Sequence, residues 1–396
     1  MRRSRSSWLR QPTTLYSGLR QLQGMYRGGF AGRGDKRMVS EGPNERRGSS
    51  KNLSGIEASR GIAATLVILY HAAVHLNRAL TAPRLMAALQ FGHSGVDFFF
   101  VISGFVILFA HRRDLNNPRQ LKRYVERRAT RVLPTYWIAL CISIFGIGLS
   151  GHPMPSIRQV FVSVSLLPLD QPLILDIAWT LRFELVFYCM FALLIVSRRM
   201  GVAVMALWFG AAALACFGVA KPNWLPDEFY NAFNLEFLFG MGAAVAVTKI
   251  IAWRVPAILL LLAVGVGLFT ASAVFEDTYV LNGYGSLARL AYGLPAAMVV
   301  TGVARASQVG WLRIPTVLRA LGSASYSMYL FQFFFIGAAW QVLIIANRWV
   351  EMPLAAKFAV LSLSAVVGGV LVSRTVEHPI IRFMRSRRVV LGSVPT

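Results

Sequence analysis

Runs of about twenty apolar residues with few charges inside them recur between residues 57 and 374. A run of that length crosses the roughly 30 Å hydrocarbon core of a bilayer as a helix. Only two backbones satisfy every N–H and C=O without water there, the helix and the closed barrel. A barrel needs polar and apolar residues to alternate at every second position, and these runs do not. The fold expected is an all-α polytopic membrane protein with about ten transmembrane helices. The expected spans are 57–77, 94–111, 133–150, 177–197, 201–219, 230–248, 255–275, 286–304, 321–346 and 354–374. The stretch 156–170 is apolar but short and broken by Pro168, which suggests an interfacial or re-entrant piece.

Charged residues make up only 15% of the 396, yet the net charge is +24. In a soluble chain that excess would suggest nucleic acid, but no reading helix or aromatic-basic groove is present, so that partner is excluded. The charge is instead distributed by topology. With the N-terminus inside, 32 of the 41 Lys and Arg fall in the inner segments 1–56, 112–131, 198–200, 249–254, 305–319 and 374–396, and 5 in the outer loops. Both termini are therefore expected to be cytoplasmic. Residues 1–53 read as a basic, disordered tail without the apolar core of a secretory signal. Met38 offers an alternative start, and the tail is expected to be dispensable for insertion and activity. Residues 54–382 form the membrane domain, and 383–396 a second basic cytoplasmic tail. Cys141, Cys189 and Cys216 lie inside apolar runs at no metal-ligand spacing and read as packing residues. No metal site and no permanently bound cofactor is expected.

The first span carries the polar groups hardest to explain by hydropathy. On a helix, Arg60 and His71 return to within about 20° of one face, separated by about 16 Å along the axis, and His75 lies one turn further. Ionisable groups at membrane depth are costly, so that face points at protein, water or substrate. A neutral imidazole is a natural general base near pH 7, which makes His71 the candidate; taken alone, it could also be satisfied inside the bundle. Asp97 opens the second span, either as a cap at the helix start or as a partner for His71. Arg127, Arg128 and Arg131 cluster just before the third span. They either fix topology or present guanidinium forks to a phosphate. Arg182 and Glu184 are two residues apart, so on one helix they do not face each other and each needs another partner. Glu236 and Arg289 are further buried charges, expected to pair across helices.

Six blocks in order carry a resemblance to a known family: Arg60 with His71, Gly95 to Phe105, Arg127 to Pro134, Ala178 to Glu184, Ser325 to Phe331, and Glu377-His378-Pro379. Together they resemble the integral-membrane acyltransferase family 3, closest in flavour to its exopolysaccharide and O-antigen sugar O-acetyltransferases. The resemblance implies transfer of an acyl group, usually acetyl from acetyl-CoA, to a carbohydrate or lipid-linked acceptor, in a bacterial inner membrane. It implies His71 as base, with Asp97 or Glu184 orienting it, or Glu184 contacting the sugar. Arg60, Arg127, Arg128, Arg131, Trp179 and Arg182 are then candidates for holding donor or substrate. Two positions depart from the pattern. Gln332 stands where members often carry a histidine, and Arg182-Phe183-Glu184 leaves one carboxylate where the family commonly has two. The rival reading is a transporter or flippase of lipid-linked saccharide, which would share the hydropathy and the buried charges.

Overall fold

The computed structural model describes residues 54–249, 254–277, 282–347 and 351–391. The basic N-terminal stretch, with Met38, lies outside the described residues. In chain order the helices are α1 Ser54–Leu80, α2 Pro83–Leu89, α3 Gly95–His111, α4 Leu121–Leu149, α5 Ile157–Ser165, α6 Trp179–Val196 and α7 Arg198–Cys216. There follow α8 Asn234–Lys249, α9 Val255–Asp277, α10 Ser286–Gln308, α11 Thr316–Ala346, α12 Leu354–Val372 and α13 His378–Leu391. No strand occurs among the described residues.

Nine helical segments among the described residues are long and apolar enough to cross a bilayer. The sixth expected span, 230–248, forms α8, which has only 16 residues and rises about 24 Å. Its start is delayed because Pro226 and a 3-10 turn over Asp227–Phe229 occupy the approach. The short apolar stretch is the nine-residue α5. Ser156 caps it by accepting from the Gln159 N–H at 3.2 Å, and Leu166 ends it at φ 56°. Its last turn would leave carbonyls without partners in an apolar setting. Tyr136 OH donates to the Ser163 carbonyl at 2.5 Å and Trp137 Nε1 to that of Val164 at 3.0 Å, both from α4.

Helix α1 is the hub, packed against α3, α10, α11 and α12. Lipid offers no hydrophobic drive between helices, so close approach depends on small residues. At the α1–α11 crossing, a Cβ on Gly322 would lie 2.0 Å from the Glu57 carbonyl oxygen. At the α3–α8 crossing, a Cβ on Gly240 would lie 1.9 Å from the Val101 carbonyl, and one on Gly104 2.1 Å from that of Phe237. Outward-facing positions are apolar instead of charged, as at Phe145, Leu207 and Leu260, which suits lipid as the surrounding solvent. Gly240→Val should force α3 and α8 apart. The expected result is a loss of about 2 kcal/mol or more, read as a lower thermal midpoint of the detergent-solubilised protein.

Candidate active site

The N-terminal parts of α1, α4 and α11 and the start of α13 enclose a cavity of about 850 Å³. Arg60 and Glu57 enter it from α1, and Arg127, Arg128 and Arg131 from α4. The Gly322 crossing holds α11 close enough to form part of its wall. The arginine triplet thus turns inward. Arg128 Nη2 donates to His111 Nε2 at 3.2 Å, and the guanidinium lies 5.8 Å from the centre of the Tyr188 ring. Because a guanidinium only donates, His111 Nε2 must accept, which places the ring proton on Nδ1, facing Asp114 Oδ2 at 2.7 Å. Arg128 Nε is buried and has no hydrogen-bond partner among the described residues. A smaller space of about 30 Å³ continues from Arg60, Arg128 and Arg131 to Ser103, Glu184 and Tyr188. Glu184 accepts from Ser103 Oγ at 3.1 Å and from Tyr188 OH, one turn along its own helix. Glu184 thus lines the same small space as Arg60, Arg128 and Arg131.

Further along α1, His71 is half-buried against the rings of Phe333 at 4.7 Å and Tyr70 at 5.0 Å. Its Nδ1 lies 2.9 Å from Gln332 Oε1. Gln332 is fully buried, and its amide nitrogen donates to the Tyr329 carbonyl at 2.9 Å, so the oxygen is the end that faces His71. An amide oxygen can only accept, which puts the neutral imidazole's proton on Nδ1 and leaves the Nε2 lone pair to take a proton. Asp176, just before α6, and Arg78 are charged groups within electrostatic range of the ring. His75 packs edge-on against Trp340 at 5.1 Å and has a buried Nε2 without a partner among the described residues.

An Arg–His helix beside an arginine-lined cavity fits several chemistries, and comparison with known proteins narrows them. The acyltransferase domain family matches residues 53–374. The chain belongs to the acyltransferase family. Among its relatives is the exopolysaccharide production protein ExoZ of Rhizobium meliloti (strain 1021), 30% identical over 321 residues, covering 76% of this chain and 93% of that one. Acyltransferase MdmB of Streptomyces mycarofaciens is 26% identical over 347 residues, 77% of this chain and 85% of that one. No solved structure matches the chain. The protein is thus a multi-pass membrane enzyme of the acyltransferase family.

Not every candidate residue of this acyltransferase reaches the two places just described. Asp97 does not contact His71. Fully buried, it accepts from Arg289 Nη1 at 2.5 Å, and Arg289 also donates to the Gly283 carbonyl while stacking 4.4 Å from the centre of the Phe233 ring. Glu236 is buried beside Asp97, but neither of its carboxyl oxygens has a hydrogen-bond partner among the described residues; of the two charges expected to pair across helices, Arg289 does so, with Asp97 in place of Glu236. Glu184 does not orient His71 either, being held among Ser103, Tyr188 and the arginines. Arg182 lies away from the arginine cavity, because its donors are drawn to Glu228 Oε1 at 3.5 Å and the Gln171 carbonyl at 2.9 Å. Trp179 packs edge-on against Phe100 and Phe183 and lies against Phe233, an aromatic cluster rather than a cavity wall. Gln332 was visible in the sequence only as a departure from the family pattern. A second group escaped notice altogether: His93 Nε2 and Gln90 Nε2 meet Glu276 Oε1 at 2.8 and 3.2 Å, with Tyr292 OH on its other oxygen. Each of these pairings joins residues on different helices, and no local spacing signals them.

Proposed function

We propose that this acyltransferase moves an acyl group, acetyl in the simplest case, from acyl-CoA to a hydroxyl of a cell-surface carbohydrate or lipid-linked saccharide. The reading sets the enzyme in a bacterial inner membrane with both termini cytoplasmic, as the positive-inside asymmetry favours. The observation that carries it is the convergence of Arg60, Arg127, Arg128 and Arg131 on one cavity at the start of the helix that bears His71. Guanidinium forks match phosphate oxygens, and acyl-CoA is an acyl donor with phosphates at one end and a thioester at the other. A flexible arm between them can cover the roughly 16 Å of helix rise from Arg60 to His71. The similarity to ExoZ, an exopolysaccharide production protein, supports a carbohydrate acceptor.

In this mechanism the acceptor hydroxyl attacks the thioester carbonyl while His71 Nε2 removes its proton. The tetrahedral intermediate collapses with loss of the CoA thiolate, which takes the proton back from the imidazolium. Gln332 Oε1 holds Nδ1–H throughout and so keeps the ring in orientation. Glu184, held by Ser103 and Tyr188, lines the small space that adjoins the arginines. Placing His71 well inside the bundle keeps the thioester from bulk water.

Purified protein given labelled acetyl-CoA should release CoA when a suitable saccharide is added. Arg128→Ala and Arg131→Ala should each weaken acetyl-CoA binding about tenfold or more, the usual scale for a lost charge-assisted hydrogen bond. Lysine at either position should restore part of the affinity, since it keeps the charge but not the planar fork. Wild-type affinity in all four variants would reduce the cluster to a topological role.

A further inference from the structure

The family match ends at residue 374, but the wall of the arginine cavity does not. It is completed by Glu377, His378, Ile381, Arg382 and Arg385. The last four follow the i, i+3, i+4, i+7 spacing of one face of α13. The chain reaches this position through a wide π-type turn over Ser373–Glu377. Pro379 has no N–H for the preceding turn, and the widened backbone accommodates that loss. Glu377 is buried and accepts from Ser327 Oγ of α11 at 2.5 Å, which pins the start of α13 to the bundle beside the cavity.

The charge of the wall is informative. Six guanidinium groups (Arg60, Arg127, Arg128, Arg131, Arg382 and Arg385) face two carboxylates, Glu57 and Glu377. The formal excess is four positive charges, two of them supplied by α13. A 3′-phosphoadenosine diphosphate group carries about four negative charges near pH 7, about two of them on its terminal monoester phosphate. The cavity's volume of about 850 Å³ is that of a ligand site rather than a gap between helices. Arg382 and Arg385 are exposed, as is Arg131, whereas Arg128 is half-buried.

Resting on the acyl-CoA reading, we propose that α13, outside the matched family region, is a donor-recognition element whose Arg382 and Arg385 bind the nucleotide 3′-phosphate of acyl-CoA. The enzyme then distinguishes acyl-CoA from acyl donors that end at the pantetheine arm. An anionic lipid headgroup offers the same phosphate chemistry to these arginines, so the test must separate the two sources.

The test uses the full chain in nanodiscs of phosphatidylcholine alone, which removes anionic headgroups. Binding of acetyl-CoA, 3′-dephospho-acetyl-CoA and acetyl-pantetheine is titrated by calorimetry. The Arg382→Ala/Arg385→Ala double variant should bind acetyl-CoA about tenfold or more weakly. Its affinity for the two shorter compounds should match that of the wild type, and wild type should itself prefer acetyl-CoA to the dephospho form. Double lysine should recover part of the loss. Undiminished acetyl-CoA binding in the double alanine variant, with Arg128→Ala still impaired, would overturn the role of α13 and leave the donor reading standing. Equal loss for all three compounds would also overturn it, as a general disturbance of the site. Failure of wild type to bind acetyl-CoA would bring down the donor reading itself, and this inference with it.

Discussion

His71→Ala should reduce acyl transfer by about 10²- to 10⁴-fold, the range a positioned general base contributes, with acetyl-CoA affinity close to that of wild type. The argument for separate effects is geometric. His71 lies about 16 Å along α1 from Arg60, far from the cavity where the arginines gather. Its partner is Gln332, and its ring rests on Phe333 and Tyr70. Truncation therefore leaves the arginine cavity intact. His75→Ala should cost much less, since His75 packs on Trp340 and one turn separates it from the proposed reacting centre. Gln332→Leu removes the acceptor of Nδ1–H while keeping a side chain of similar size, so kcat should fall with KM for the donor retained. Native transfer rates from a folded His71→Ala enzyme would eliminate the general-base mechanism.

The legible part of this protein is the part encoded locally. Hydropathy locates the helices because each span must satisfy its backbone within itself, and the short α5 is marked by Ser156 at its start and Pro168 beyond its end. Helix α8 is not distinguished from a full span because Phe229, Tyr230 and Phe233 extend the apolar and aromatic stretch ahead of its start. The arginine triplet of α4 was readable as a cluster, and the i, i+2 spacing of Arg182 and Glu184 correctly denied them each other as partners. Who their partners are was not readable. Arg182 meets Glu228, and His71 meets Gln332 across 261 positions of sequence. The same limit hid the completion of the cavity by Glu377, Arg382 and Arg385, which hydropathy reads only as a basic end. Asp97 shows the cost of the limit most clearly: its depth and its side of the bundle suited a partner of His71, and a cation from α10 claimed it instead.

Arg289→Ala should be among the most destabilising single changes in the chain, at about 3–5 kcal/mol, the scale of an ion pair broken inside a low-dielectric interior. Arg289 is 2% exposed, and both Asp97 and Glu236 beside it are fully buried. Its removal leaves two carboxyl groups in the bundle with no guanidinium between them, and frees the Gly283 carbonyl as well. The folded fraction, read as the monodisperse peak of detergent-solubilised protein after a temperature step, should drop sharply. Arg289→Lys should recover only part, because one ammonium cannot reproduce the planar fork between Asp97 and Gly283. Adding Asp97→Asn to Arg289→Ala should recover more than either change predicts alone, since it removes one of the stranded charges. The single variant Asp97→Asn then separates structure from catalysis. If Asp97 serves the fold through Arg289, transfer per folded molecule stays near that of wild type while the yield of folded protein falls. A large loss of kcat in molecules that remain folded would return Asp97 to the catalytic apparatus.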